Sequence, residues 1–93
     1  MKYKSLHNYS ISQIGGETIL VPIVNSVAKI KNVIVVNETG SFIISKLELG
    51  LTISEIVDEL IKNFDNDNRQ SVENETTTFV NKLCERGFFE PQN

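Results

Sequence analysis

A chain of 93 residues and 10.5 kDa has material for one domain with one modest core, which argues against the two-lobed architectures that enclose most active sites. Hydrophobic residues make up 40% and charged residues 23%, the balance of a folded globular domain rather than a disordered or membrane-embedded one. With a formal net charge of -3 there is no positive field to hold a polyanion, so neither nucleic acid nor a membrane is an expected partner.

The opening residues Met1-Lys2-Tyr3-Lys4 run into polar Ser5, His7 and Asn8 rather than an apolar signal core, and the longest apolar run, Val33 to Val36, is strand-sized. The single cysteine, Cys84, allows no internal disulfide. The expected location is cytoplasmic. Residues 1–93 are expected to form one unit, ordered from about residue 9 to about residue 90, with His7 on a mobile terminus.

In chain order, Ile11, Gln13 and Ile14 precede Gly15-Gly16, and Thr18 to Val24 follow, which predicts a β-hairpin with the glycines supplying positive φ. Pro22 donates no ladder hydrogen bond, so it belongs at a bulge, on a side of the strand that faces no partner, or where pairing stops. A looser polar stretch, Asn25 to Asn32, leads to Val33-Ile34-Val35-Val36, whose β-branched composition predicts the third strand.

Three helices are predicted in the remainder. Asn37 can cap the first, which carries Phe42, Ile43, Ile44 and Leu47 and stops at Gly50. Thr52-Ile53-Ser54-Glu55 is a capping box, and Ile53, Ile56, Val57, Leu60, Ile61 and Phe64 then repeat with helical period. Asp65 to Arg69 reads as a loop, with Asp67 and Gln70 or Ser71 available to cap the third helix. Along that helix Val72, Thr76, Phe79 and Leu83 form one stripe, Thr77, Val80 and Cys84 lie beside it, and Gly87 ends it before Phe88-Phe89 folds back or pairs as a short extension. The expected fold class is α+β, winged-helix-like, with a three-stranded antiparallel sheet followed by three helices (β-β-β-α-α-α).

The residues for chemistry are scarce. The lone His7 and the helix-borne Cys84 do not make a nucleophile-base pair, and one Cys with one His cannot supply a zinc tetrahedron. Asp65-x-Asp67 fails as a calcium loop, because Gln70 stands where glycine is needed and Thr76 where the bidentate Glu belongs. No catalytic residue and no cofactor are expected. What remains is a surface. If Val33 to Val36 lie at a sheet edge, their unpaired backbone groups can accept an added strand, with Thr77, Val80 and Cys84 as the wall of an adjoining groove. The plain alternative is that these four residues are core. A winged-helix regulator of nucleic acid is the reading from another class, but its recognition helix would carry Glu73 and Glu75. A structural subunit pairing through the same strand edge is a third.

Several segments occur in a familiar order: Leu20-Val21-Pro22, Val36-Asn37-Glu38-Thr39-Gly40 entering a helix with Phe42-Ile43, Leu51-Thr52-x-x-Glu55-Ile56-Val57, and Phe79-Val80-x-x-Leu83-x-x-x-Gly87-Phe88. Together they resemble the PqqD family, over nearly the whole chain from Ser10 to Glu90. The resemblance implies a small winged-helix-like recognition element for ribosomally made, post-translationally modified peptides. Such a domain binds the leader region of a precursor peptide as an added strand and presents it to a modifying enzyme, often a radical S-adenosylmethionine protein. Carried onto this sequence, the leader would pair with Val33, Ile34, Val35 and Val36 and contact Thr77, Val80, Asn81 and Cys84.

Overall fold

The computed structural model describes residues 2–25, 27–28, 33–64 and 68–92. Their order is β1 (Lys2–Ser5), β2 (Tyr9–Ile14), β3 (Glu17–Val24), β4 (Val27–Ala28), β5 (Ile34–Val36), α1 (Glu38–Glu48), α2 (Ile53–Phe64), α3 (Arg69–Glu85) and β6 (Phe89–Gln92). The fold is mixed α+β with antiparallel sheets; the described residues form three helices and six strands, in a four-stranded sheet of β2 to β5 and a two-stranded sheet of β1 and β6, where the sequence suggested one sheet of three strands.

The three expected strands are β2, β3 and β5, with Val33 just outside the last. β2 and β3 form the hairpin, with Gly15 at φ +65° in its turn and a register running from Ile14↔Glu17 to Tyr9↔Pro22. β5 pairs with β3 through Thr18↔Val36, Ile19↔Val35 and Leu20↔Ile34. The two-residue β4 extends the far end of β3 through Ile23↔Ala28 and Val24↔Val27.

Pro22 is accommodated by the alternation of backbone groups. The N–H of Ile23 donates to the carbonyl of Asn8 at 2.7 Å, so odd-numbered residues of β3 turn their backbone groups toward β2 and even-numbered ones toward the opposite edge. The donor that Pro22 lacks would therefore lie on the edge away from β2, so its pairing with Tyr9 loses no ladder bond.

The chain ends depart most from expectation. β1 pairs with β6 from Lys2↔Gln92 to Ser5↔Phe89, Leu6 N–H donates to the Phe88 carbonyl at 3.0 Å, and Asn8 Nδ2 donates to the Gly87 carbonyl at 2.8 Å. Residues 2–6 and Asn8 thus bond to residues 87–92, which follow α3, a pairing the sequence reading did not include. Tyr3 and Phe89 enter the core from these two strands.

Helix starts and stops follow local chemistry. Asn37 accepts from Gly40 N–H at 2.9 Å, and Gly50 leaves α1 at φ +90°. In the capping box Thr52 N–H donates to Glu55 Oε1 at 2.9 Å and Glu55 N–H to Thr52 Oγ1 at 3.2 Å. For α3 the cap is Asn68, which accepts from Ser71 N–H at 3.1 Å, rather than Gln70 or Ser71, which fall inside the helix; the expected Asp65 to Asp67 loop and the Asp67 cap lie outside the described residues. The core runs from Leu20, Ile34 and Val36 of the sheet to Ile44 and Leu47 of α1, Ile56 and Val57 of α2, and Val80 and Leu83 of α3. No described helix is long and apolar enough to cross a membrane.

Candidate functional site

The sheet stops at β5, which among the described residues pairs only with β3. The alternation set by Ile23 makes Thr18↔Val36 and Leu20↔Ile34 the hydrogen-bonded pairs. Ile19↔Val35 is then the non-bonded pair, and the N–H and C=O of Val35 point away from the sheet, along its open edge. The side chains alternate as well: Ile34 and Val36 are buried against the helices, while Val35 is 52% exposed on the opposite face.

Below that edge the β5 residues form one wall of a groove of about 430 Å³. The start of α1 contributes Thr39, Gly40 and Ile43, and the end of α2 contributes Leu60 and Phe64. The other long wall is α3, through Val72, Glu75, Thr76, Phe79 and Lys82. This size lies within the roughly 300–1,000 Å³ typical of ligand pockets. Apolar side chains from all four elements share it with polar Asn37, Thr39 and Thr76, and the charges of Glu75 and Lys82 stand at the α3 wall.

Gly40 sets the width of the groove at its β5 end. A Cβ on this residue would lie 2.9 Å from Val36 Cβ and 3.1 Å from Phe79 Cζ, so only glycine lets the first turn of α1 sit this close to both walls. The Asn37 cap holds that turn in place, because its side chain bonds the Gly40 N–H itself. Phe64, 39% exposed, is braced at 5.4 Å edge-to-face by Phe42, over which the Lys46 ammonium lies at 5.1 Å.

The residues expected to form the site divide sharply. Ile34, Val35 and Val36 border the groove, and Val33 stands half-buried just before them. Of the α3 residues expected, none lines it: Val80 is fully buried in the core, Thr77 and Cys84 are half-buried, and Asn81 is exposed on another side of the helix. The groove-facing lane is instead 72, 75, 76, 79 and 82. Helical period permits both lanes; in the structure Val80 is buried in the core while Phe79, which reads as core, borders the groove. Phe79 and Phe64 are the functional candidates that sequence reasoning took for packing residues. An aromatic ring at the boundary of an apolar stripe was the available signal.

Burial pushes the Cys84 thiol up, which keeps it protonated and unreactive near neutral pH. Tyr9 is pushed up to about 12, first by burial and then by Glu48, whose carboxylate accepts its hydroxyl at 2.9 Å, against an opposing bond to Ser5. It pins β2 to α1 and lies outside the groove. Among the described residues no group of three or more His, Cys, Asp or Glu could hold a metal ion.

Comparison with known proteins adds sequence and fold relationships. Residues 17–88 match the family described as coenzyme PQQ synthesis protein D (PqqD). The fold is similar to that of TbiB1 in a structure of its complex with the TbiA(beta) leader peptide, at 25% identity and a TM-score of 0.76, covering 100% of this chain and 99% of that one. It is also similar to lasso peptide synthetase B1 complexed with the leader peptide, at 18% identity and a TM-score of 0.78, covering 98% of this chain and 100% of that one. No protein of curated function matches the sequence.

Proposed function

The chain belongs to the PqqD family, and from that premise we propose that it is a winged-helix-like recognition element, acting as a single unit, that binds the leader region of a ribosomally synthesised precursor peptide and presents it to a modifying enzyme. The observation that carries this reading is the outward-facing backbone of Val35 on a strand edge left unpaired among the described residues, directly above a groove of mixed apolar and polar lining. An extended peptide there gains main-chain hydrogen bonds from β5 and places alternate side chains into the groove, which is strand addition. The whole-length likeness to a protein captured with a leader peptide supports the same assignment.

The domain supplies binding, and the covalent chemistry belongs to the partner enzyme. A flexible precursor held by its leader is confined near that enzyme, so its effective concentration rises without any catalytic group on this chain. The regulator reading gains nothing from the structure's surface: α3 presents Glu73 and Glu75, both exposed, on a chain of net charge -3. Calorimetric titration of the full chain with the leader of the precursor encoded beside it tests the proposal. Saturable one-to-one binding that a competing leader peptide reverses is expected; absence of binding to that leader would overturn it.

A further inference from the structure

The α3 wall of the groove carries two charges placed in a pattern. Glu75 and Lys82 are seven positions apart, which returns them to one face of the helix roughly 10 Å apart along its axis, with Phe79 between them. The same three residues also line a shallower depression on the outer side of α3, so they form the rim shared by both concavities. Both charged side chains are exposed, and among the described residues neither has an ion-pair or hydrogen-bond partner; the ion pairs there are Lys46 with Glu59 and Arg69 with Asp58. At their separation they are too far apart to satisfy each other.

An added strand turns alternate side chains to one side, and four residue steps of it span about 13 Å. This exceeds the Glu75 to Lys82 spacing by about 3 Å, a gap that the flexible Glu and Lys side chains close. Resting on the leader-binding reading above, we propose that this rim selects the leader by charge. The segment in the groove carries an apolar residue over Phe79 and, two positions to either side of it, an acidic residue for Lys82 and a basic residue for Glu75. The apolar anchor supplies affinity; the two flanking charges set which precursor is accepted and in which register, because a like charge at either end is repelled.

The test uses the full chain, its K82E and E75K variants and the double variant, titrated with the synthetic leader, with leaders reversed in charge at one flanking position or the other, and with the leader reversed at both. Each exposed contact is worth about two- to fivefold in Kd at low salt. K82E is therefore expected to weaken the native leader by about that factor, reversal of the leader's acidic residue to restore it, and the double variant to prefer the doubly reversed leader. High salt erases these differences, because exposed charges are screened. Equal losses for native and reversed leaders, losses within error of none, salt-independent losses, or a leader without the alternate acidic-apolar-basic pattern would each overturn the charge rim. If the unmodified chain fails to bind its leader, the function itself is wrong; if unmodified chain and variants all bind alike, only the rim is.

Discussion

Substituting Gly40 with Ala separates the groove's geometry from the helix's intrinsic stability, because the two effects have opposite signs. Gly to Ala in a helix is favourable by about 1 kcal/mol in an interior position. Here, however, the new Cβ would stand 2.9 Å from Val36 Cβ and 3.1 Å from Phe79 Cζ. The ring can rotate away, but Val36 Cβ is fixed to the backbone of β5, so the first turn of α1 or the strand must move. Overpacking of this kind costs about 1–3 kcal/mol, and the net expectation is a loss of up to about 2 kcal/mol. For a chain of this size each kcal/mol lowers the melting temperature by roughly 4–8 °C. The displacement falls on both walls of the groove, so leader affinity drops further than the folded fraction accounts for, and F79L in the G40A background recovers part of the stability by removing the ring contact. Urea denaturation and calorimetry on the same samples measure both quantities. A G40A protein about 1 kcal/mol more stable than the parent, with leader binding unchanged, would refute the close packing of α1 against β5 and Phe79.

Other expectations follow from single contacts. Bonds to Thr52, its backbone N–H foremost, hold the Glu55 carboxyl below its usual range. A carboxyl lowered by folding contributes stability that is present above its unfolded pKa and lost as pH falls through the lowered folded one, so the stability difference between the parent and E55Q narrows as denaturation series are taken to acid pH; a difference independent of pH would contradict the capping box. Leu83, 1% exposed, leaves a cavity when truncated, and L83A should cost about 2–5 kcal/mol in urea denaturation. Asn81 is exposed and away from the groove, so N81A should stay within about 0.5 kcal/mol and leave leader affinity unchanged; a large loss of binding would restore that side of α3 to the site.

What was legible in the sequence was set by local chemistry. Gly15 of the hairpin, the Asn37 cap, the Thr52 to Glu55 box and the period of α2 each act within a few residues, and each is found in place, although Gly16 lacks the positive φ expected of both glycines. Pro22 pairs with Tyr9 at a position that needs no N–H toward β2, because a missing donor constrains one edge wherever the strand lies. The β1 and β6 pair was not legible: Lys2–Ser5 is short and mostly polar, and Phe89–Gln92 contains a proline. Their pairing is fixed by the burial of Tyr3 and Phe89 between elements at opposite ends of the chain. The groove lane on α3 was missed for a related reason. Val72, Thr76, Val80 and Leu83 are the buried residues, and only the placement of β5 and Gly40 decides that Phe79 turns to the open side. The position of β5 depends on its own composition, whereas which α3 residues face the groove depends on how three helices pack.

Strand addition at the β5 edge depends on the backbone of Val35, and the Val35 amide proton is its most direct probe. Ile34 and Val36 form the bonded pairs with β3, whereas the Val35 N–H faces the open edge. Hydrogen exchange followed by NMR should therefore find Val35 fast and its two neighbours protected in the free chain, with Val35 alone of the three becoming strongly protected when the leader is added. A bound leader that leaves Val35 exchange unchanged, or that protects β2 instead, would contradict strand addition at this edge.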